Sequence, residues 1–322
     1  MKTRRLGRTG LDVSEIGFGA WGLGATMWRG VPDDEALAAV RVAVAAGVTF
    51  IDTALAYGDG HSERLIARAR TNAVVATKIP PRNGAWPAAA NSKIDDVFPA
   101  EHVRTATETS LRNLGVPAIA VQQFHVWHDA WLDQAGWAAT RREMEKLVAE
   151  GKVRHWGISI NDHAPETALR ALCDPLFATA QVIYNIFDRS PEKELFALAR
   201  EKNIGIIVRV PFDEGTLTGA IRPETQFAAG DWRHRYFRGD RRAEAARRAD
   251  ALLPLLGDGA RTLPELALRF VLTRPEVSTV IPGMRRAEHA RANAAVSDGR
   301  LLDSPLLFNL NAHAWTKNWY GD

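Results

Sequence analysis

Short apolar runs alternate with amphipathic stretches along this chain, and the alternation repeats eight times. The stretch after the first run opens on three acidic residues and then places Leu37, Val40 and Val44 on one helical face. This alternation is typical of parallel strands joined by crossover helices. With 322 residues, 46% of them hydrophobic, it predicts an α/β fold, a (β/α)8 TIM barrel forming one domain over residues 1–322. The predicted strands span residues 15–19, 49–52, 74–78, 119–125, 155–159, 180–184, 205–209 and 278–281.

Ahead of the first barrel strand, the sequence predicts an N-terminal hairpin. Residues 4–6 and 11–13 flank the turn at 7–10, and the hairpin is expected to plug the bottom of the barrel. Ser190 and Thr262 precede later helical stretches in sequences that favour helix capping.

A long connection after the seventh strand and a C-terminal tail complete the predicted architecture. The connection, residues 211–261, is rich in Gly, Arg and aromatic residues and is predicted to hold one extra helix over 240–256. Its position suggests a lid or a cofactor clasp. The tail carries Trp315, Trp319 and Tyr320 and is expected to cover a pocket or to pack on a partner.

Composition narrows the class of protein. The net charge of +3 comes from scattered arginines, so nucleic-acid binding is not favoured, and Arg241, Arg242, Arg247 and Arg248 are interpreted as a solvated helix face. The single cysteine, Cys173, excludes an internal disulfide framework and fits a reducing cytoplasm. No apolar run approaches the roughly 18 residues that span a membrane, and the start lacks a secretory signal. We expect a cytoplasmic protein acting on a small molecule, with a homo-oligomer compatible with the sequence.

Four ionisable residues follow three of the predicted strands. Asp52 and Tyr57 follow the second, Lys78 ends the third and His125 ends the fourth. A phenol with a pKa of about 10 needs a nearby cation to act as a proton donor to a carbonyl, and Lys78 is predicted to be that cation. Asp52 is placed to hold Lys78 charged, while His125 is placed to hydrogen-bond a substrate oxygen. This chemistry requires a source of hydride, for which the later strand ends at 157–161, 181–185 and 281–286 are candidates.

In order and spacing, several segments resemble signatures of the aldo-keto reductases, in particular of the bacterial-type NADP-dependent members. The resemblance runs from about Arg5 to about Val296. These segments are residues 17–21, 52–63, 77–78, 110–115, 125, 151–154, 181–185 and 281–283. The resemblance implies carbonyl reduction, or oxidation of a sugar or polyol alcohol, with Asp52, Tyr57, Lys78 and His125 as a catalytic tetrad. Tyr57 would be the general acid, and NADPH would be the cofactor.

The same resemblance implies a set of cofactor contacts. Ser159 and Gln181 would hold the nicotinamide carboxamide. The residues implied along the pyrophosphate are Phe212, Gly215 and Thr216. The residues implied around the adenosine end are Gly283, Met284, Arg285, His289 and Asn293. The remaining predicted contacts are Gly19, Ala20, Trp21, Asp52, Arg209 and Pro211.

The chain departs from the family pattern at three places. Arg209 stands where the family often has a tyrosine stacked on the nicotinamide, so its guanidinium would stack there instead, or bind an acidic substrate or the cofactor phosphates. Ile160 follows Ser159 where asparagine is usual. At the adenosine end, His289 replaces a more usual arginine or glutamine, and Arg285 with Arg286 still favours NADP over NAD through bidentate contacts to a 2′-phosphate.

Trp21, Trp86 and Trp127 follow strand ends and are predicted to wall a substrate pocket with Tyr57 and His125. His125 and His128 have a spacing that invites a metal, but no cysteine or acidic partners accompany them, and no metal site is predicted. Two alternatives remain open: an NADP-binding regulatory subunit with little turnover, and a barrel lyase or hydrolase acting on a phosphorylated substrate.

Overall fold

The computed structural model describes residues 1–25, Met27 and residues 31–320; the last two residues of the predicted tail and of the predicted domain range therefore lie outside the described residues. Within these ranges the chain forms ten strands. They are β1 (Thr3–Arg5), β2 (Asp12–Ser14), β3 (Phe18–Gly19), β4 (Phe50–Asp52), β5 (Val74–Ile79), β6 (Ile119–Phe124), β7 (Val153–Ser159), β8 (Phe177–Ile183), β9 (Gly205–Arg209) and β10 (Val277–Val280).

Strands β3 to β10 form one parallel sheet in which each strand pairs with its neighbour in the sequence. Parallel bridges from Ile16 to Val280 and from Gly19 to Gly283 join the first strand region to the last. The sheet therefore curls back on itself, which confirms the predicted (β/α)8 barrel. All eight predicted strands are present, and the first is shorter than predicted.

Helices connect the barrel strands and cover their outer face. In the described part of the chain they are α1 (Asp33–Ala45), α2 (His61–Ala69), α3 (Ile94–Val97), α4 (Ala100–Leu114), α5 (Trp137–Ala149), α6 (Leu169–Leu172), α7 (Leu195–Lys202), α8 (Arg233–Tyr236), α9 (Arg241–Asp250), α10 (Leu263–Leu272), α11 (Ala287–Ala295) and α12 (Ser304–Leu310). The Thr262 hydroxyl caps α10 by accepting from the Glu265 amide at 3.2 Å. Ser190 instead begins a 3₁₀ turn, and α7 starts only at Leu195.

The N-terminal hairpin β1–β2 packs against the amino end of the barrel, as predicted. Leu6 and Val13 belong to a buried cluster inside the barrel, together with Phe50, Val121 and other strand residues. Gly7 has φ +49°, and a Cβ at this position would overlap the backbone nitrogen of Gly205. The larger apolar core lies outside the strands, between them and the helices.

The connection after β9 differs from the prediction of one long helix. It begins with a 3₁₀ segment, Asp213–Thr218, followed by α8 and α9, and α9 ends at Asp250 rather than at residue 256. Pro254 explains the early end, because its ring lacks the N–H that a continuing helix would use. Among the described residues, no helix is long and apolar enough to cross a membrane.

Candidate active site

Lys78 and Asp52 form a buried ion pair at the ends of β5 and β4. Lys78 is fully buried, and its Nζ donates to the Asp52 carboxylate and to the Thr53 carbonyl oxygen, the latter at 2.7 Å. The other Asp52 oxygen accepts from Gln181 Nε2 at 2.7 Å and from Gln123 Nε2 at 3.3 Å. A buried pair is stable only when its remaining polar atoms are satisfied, and the two glutamines supply those bonds.

Tyr57 lies in the loop after β4 with its hydroxyl 3.4 Å from Lys78 Nζ. The loop passes so close to Gly24 that a Cβ there would lie 2.8 Å from the Tyr57 carbonyl carbon, which fixes the backbone of Tyr57. Burial raises the pKa of the phenol, and the charges of Lys78 and Arg209 oppose that rise only in part. The phenol therefore stays protonated at neutral pH, the form that can donate a proton.

His125 follows β6, where its backbone N–H donates to the Ile79 carbonyl oxygen at 3.0 Å. Its ring meets the Tyr57 ring edge-on, with centroids 5.5 Å apart. Burial, together with the charges of Lys78 and Arg209, holds the pKa of His125 well below its usual value. The imidazole is therefore neutral, and its buried Nδ1 has no protein partner among the described residues. The four residues predicted as a tetrad thus converge on one place.

Arg209, at the end of β9, is a second cation near this cluster. Its Nη2 donates to Asp162 Oδ1 at 2.6 Å and to the Ile160 carbonyl oxygen at 3.1 Å. The side chain is 20% exposed, so it is anchored to the loop after β7 rather than extended into solvent. After burial and Lys78, its charge opposes the rise in the pKa of Tyr57 and adds to the lowering of the pKa of His125, an electrostatic effect that the sequence did not reveal.

Ser159 and Gln181 are paired in register at the ends of β7 and β8 and are almost buried. The Gln181 amide already donates to Asp52, so it links the two predicted groups of residues. Asn161 is committed elsewhere, because its side chain bonds both backbone groups of Ala88 and the Trp127 carbonyl oxygen. Of Ser159 and Asn161, Ser159 therefore has the side chain that is better placed to bind a carboxamide.

The loop after β9 contains the residues predicted along a pyrophosphate. Pro211 is buried and Phe212 half-buried. Gly215 has φ +108°, and a Cβ on it would have no neighbour closer than 3.8 Å, while the buried Thr216 hydroxyl has no partner in the described part of the chain. An unsatisfied donor beside open backbone fits an anionic group such as a pyrophosphate. Sequence reasoning missed the two carboxylates of this loop, Asp213 and Glu214, which are both buried.

The residues predicted at the adenosine end cluster after β10. Gly283 is exposed with open space beside its α-carbon, whereas Met284 is fully buried. The Arg285 side chain packs across Gly22, and burial lowers its pKa, followed by the charge of Arg233. Arg233 is a cation that sequence reasoning missed here. The remaining predicted residues lie at or in α11. Arg286 Nε is 3.4 Å from Glu35 Oε1, His289 Nε2 is 3.7 Å from Glu288 Oε1, and Asn293 is nearly buried.

Gly19, Ala20 and Trp21 occupy the first strand and the turn that follows it. Gly19 and Ala20 are buried, and the Ala20 N–H donates to the Asp52 carbonyl oxygen at 2.9 Å. This bond ties the first loop to the strand that carries Asp52.

Aromatic rings surround the mouth of the barrel, although not all of those predicted. Trp21 lies 6.5 Å from Tyr57, and Trp86, which is 48% exposed, meets the His125 ring edge-on at 4.5 Å. The placement of Trp127 on a pocket wall is wrong in this structure. Trp127 is fully buried among Phe124, Trp131, Trp137 and Phe177 in the outer core, where its Nε1 donates to Asp129.

Two further rings reach this mouth from distant parts of the chain. Trp232, in the connection after β9, lies 5.1 Å from Trp21 and is stacked 6.0 Å from Tyr320 of the tail. The tail therefore covers the mouth side of the barrel, one of the two destinations expected for it. Periodicity could not have indicated these contacts, because the rings come from three separate loops.

The described residues contain no group of three or more His, Cys, Asp or Glu side chains placed to hold a metal. Of the two histidines whose spacing raised the question, His128 uses its Nδ1 to accept from the Ala130 amide.

The chain matches the family described as the Aldo/keto reductase family over residues 15–305. It is 28% identical over 311 residues to the aldo-keto reductase YhdN of Bacillus subtilis, covering 92% of this chain and 89% of that one. It is 27% identical over 317 residues to the NADH-specific methylglyoxal reductase of Escherichia coli, covering 94% and 96%. Among solved structures, the glycerol dehydrogenase AKR11B4 from Gluconobacter oxydans matches with a TM-score of 0.78 and 27% identity, covering 97% and 94%.

Proposed function

This chain belongs to the aldo/keto reductase family, whose members are oxidoreductases, and from that premise we propose its activity. The protein uses NADP(H) to reduce an aldehyde or ketone to an alcohol, or to oxidise a sugar or polyol alcohol in reverse, and Tyr57 is the general acid. The observation that carries the proposal is the Tyr57 hydroxyl, 3.4 Å from a fully buried ammonium and beside a neutral imidazole.

The proposed acid role follows from the charges around the phenol. A carbonyl oxygen that gains negative charge takes a proton most easily from a donor whose conjugate base is stabilised. Lys78 supplies that stabilisation, and its ion pair with Asp52 holds the Lys78 side chain in place. Because His125 is neutral, it can donate one hydrogen bond to the same oxygen and orient it toward Tyr57.

A bound reduced nicotinamide would supply the hydride. The residues that would hold it are those at the ends of the last strands: Ser159 and Gln181 at the carboxamide, the loop from Phe212 to Thr216 along the pyrophosphate, and Arg285 at the adenosine. The unsatisfied Thr216 hydroxyl and the open space beside Gly283 support this assignment.

The preference for NADP rests on the arginines after β10. Arg285 and Arg286 stand at one end of the proposed site, and the pKa of Arg285 is lowered first by burial and then by the charge of Arg233. Arginine forms charge-assisted, often bidentate, contacts with a phosphate, and NADP differs from NAD by one such group. A relative named as NADH-specific makes the preference a matter for measurement.

The cofactor preference is tested by fluorescence titration of the purified protein with NADPH and with NADH. Replacing Arg285 and Arg286 by alanine should lower the affinity for NADPH by about tenfold or more and leave the affinity for NADH little changed. The exposed Arg112→Ala variant serves as a surface-arginine control. Equal losses for both cofactors would place the 2′-phosphate contact elsewhere.

Turnover is tested by following NADPH oxidation with aldehydes, dicarbonyls and ketones, and NADP reduction with polyols. Tyr57→Phe keeps the ring and removes the proton, so we expect turnover to fall by a factor of about 10²–10⁴ while the NADPH affinity stays within about twofold. Tight cofactor binding without turnover on any substrate would favour a regulatory subunit. A near-normal rate in Tyr57→Phe would refute the acid assignment.

A further inference from the structure

The loop after β9 carries two adjacent carboxylates at an unexpected place. Asp213 is 2% exposed and Glu214 is 8% exposed, and both have positive φ, +47° and +56°. Barrels commonly bind phosphate groups at the loops after their last two strands. Two ionised carboxylates in such a loop would repel a pyrophosphate, because like charges interact strongly where water is excluded.

Each carboxylate is met by a side chain from the C-terminal segment 315–320, here called the tail latch. Lys317 Nζ lies 2.6 Å from Asp213 Oδ1, and both side chains are at least nine-tenths buried. The other Asp213 oxygen is buried without a hydrogen-bond partner, so Lys317 supplies the principal counter-charge seen in the described residues. The Tyr320 hydroxyl donates to Glu214 Oε1.

Aromatic rings hold the tail latch in this position. Lys317 Nζ lies 4.7 Å from the Trp315 ring and 4.8 Å from the Trp319 ring, within the range of cation–π attraction. Tyr320 stacks on Trp232, which continues to Trp21 at the mouth of the barrel. The tail latch therefore packs on Trp232 and, through it, on Trp21, one of the residues predicted to contact the cofactor.

We propose that Lys317 and Tyr320 are positioning residues for cofactor binding: Lys317 neutralises Asp213, and the Tyr320 hydroxyl holds the Glu214 carboxyl in place, so that the loop after β9 accepts an anionic dinucleotide. This inference rests on the proposed function, since it assigns the loop to the cofactor pyrophosphate. Neither residue touches the reacting atoms. Both act through Asp213 and Glu214.

The surroundings of Glu214 make the arrangement sensitive to pH. Burial has the largest effect and raises the pKa of Glu214 to about 7. The Tyr320 hydroxyl and Arg209 favour its ionised form, whereas Asp213 and Asp162 oppose it. Lys317 faces the adjoining Asp213, and the Tyr236 hydroxyl lies 3.4 Å from Lys317 Nζ. A bound anion favours neutral Glu214, so affinity for the cofactor should fall as the pH rises above about 7.

The charge of Lys317 is tested by fluorescence titration of the free protein with NADPH and NADH, alongside thermal unfolding without cofactor. Lys317→Met should lower the affinity for both cofactors by about tenfold, whereas Lys317→Arg should keep most of the wild-type affinity. Combining Lys317→Met with Asp213→Asn removes the uncompensated charge and should bring affinity back to within about threefold of the wild type. Lys146→Met, on the outer face of α5 and 66% exposed, is the matched control.

The pH dependence is tested with Glu214→Gln, which should flatten the fall in affinity between about pH 6 and pH 8.5. Unchanged affinity in folded Lys317→Met, or a double variant as weak as the single, overturns the latch while leaving the proposed function intact. Wild-type protein that binds neither cofactor overturns both.

Discussion

Lys78 is the residue on which the rest of the candidate site depends electrostatically. Its ammonium is fully buried and bonded to Asp52 and Thr53, and the Tyr57 hydroxyl is the third oxygen near it. Removing the cation would leave Asp52 as a buried charge, and among the described residues only the side-chain amides of Gln123 and Gln181 would then donate to it. A single substitution at Lys78 therefore affects both the folding stability and the proposed acid.

Lys78→Met should lower the free energy of unfolding by about 3–5 kcal/mol, because breaking a buried ion pair leaves one charge uncompensated. Adding Asp52→Asn should recover a substantial part of that loss, since the double variant buries no charge. Urea denaturation at neutral pH measures both effects, with Lys146→Met expected to stay within about 0.5 kcal/mol of the wild type. A double variant no more stable than Lys78→Met would show that packing, rather than charge, dominates at this position.

At the scale of single residues, sequence reasoning succeeded where strand ends determine position. Asp52, Lys78 and His125 each end or follow a strand, so the parallel topology alone brings them together. It failed for Trp127, because an apolar ring after a strand can turn either toward the mouth or into the outer core. It also missed the contact of Lys317 with Asp213, which joins residues 104 positions apart and leaves no local pattern.

At the scale of elements, the hairpin β1–β2 is attached to the barrel through backbone contact as well as apolar packing. The Arg8 N–H donates to the Asn203 carbonyl oxygen at 2.7 Å, and the Gly7 α-carbon lies against Gly205. Gly10, in the same turn, has φ +73° but faces open space. These two glycines separate the cost of a left-handed backbone from the cost of steric overlap.

Gly7→Ala should destabilise the protein by about 3 kcal/mol or more, because the new methyl group would overlap backbone that cannot move aside. Gly10→Ala should cost only about 1–2 kcal/mol, since its penalty comes from the positive φ alone. Thermal unfolding of the two variants measures the difference. Equal losses would mean that the hairpin shifts freely on the end of the barrel.

The connection after β9 shows why element prediction weakens outside the regular alternation. One helix was predicted over 240–256, whereas α8 and α9 form two helices and a separate 3₁₀ turn, Leu253–Leu255, follows. In the barrel, each strand has a partner on both sides that reinforces its local preference. In the connection, contacts with the tail and with Trp21 decide the path instead, and those contacts are invisible to a local pattern.

At the scale of the whole molecule, Glu214 should make stability depend on pH. Its pKa of about 7 in the folded protein lies above its ordinary value of 4.5. The contribution of the neutral carboxyl is therefore fully present below about pH 4.5 and is lost as the pH rises through about 7. Between about pH 5 and pH 8, the free energy of unfolding of the wild-type protein should fall by up to about 3 kcal/mol relative to that of Glu214→Gln. Denaturant unfolding of both proteins at each pH tests this, and parallel pH profiles would contradict it.

The hairpin that fills the amino end of the barrel also limits how the interior is reprotonated. Leu6 and Val13 pack inside the barrel at that end, while Lys78 and Asp52 are 0% and 2% exposed. Under the proposed acid role of Tyr57, protons that replace those given to a substrate would travel in from the carboxyl end, the side by which the substrate would also arrive. A molecule bound at the carboxyl end would therefore block proton transfer from solvent as well as substrate entry. The buried Lys78 ammonium should exchange its hydrogens with solvent slowly even without substrate.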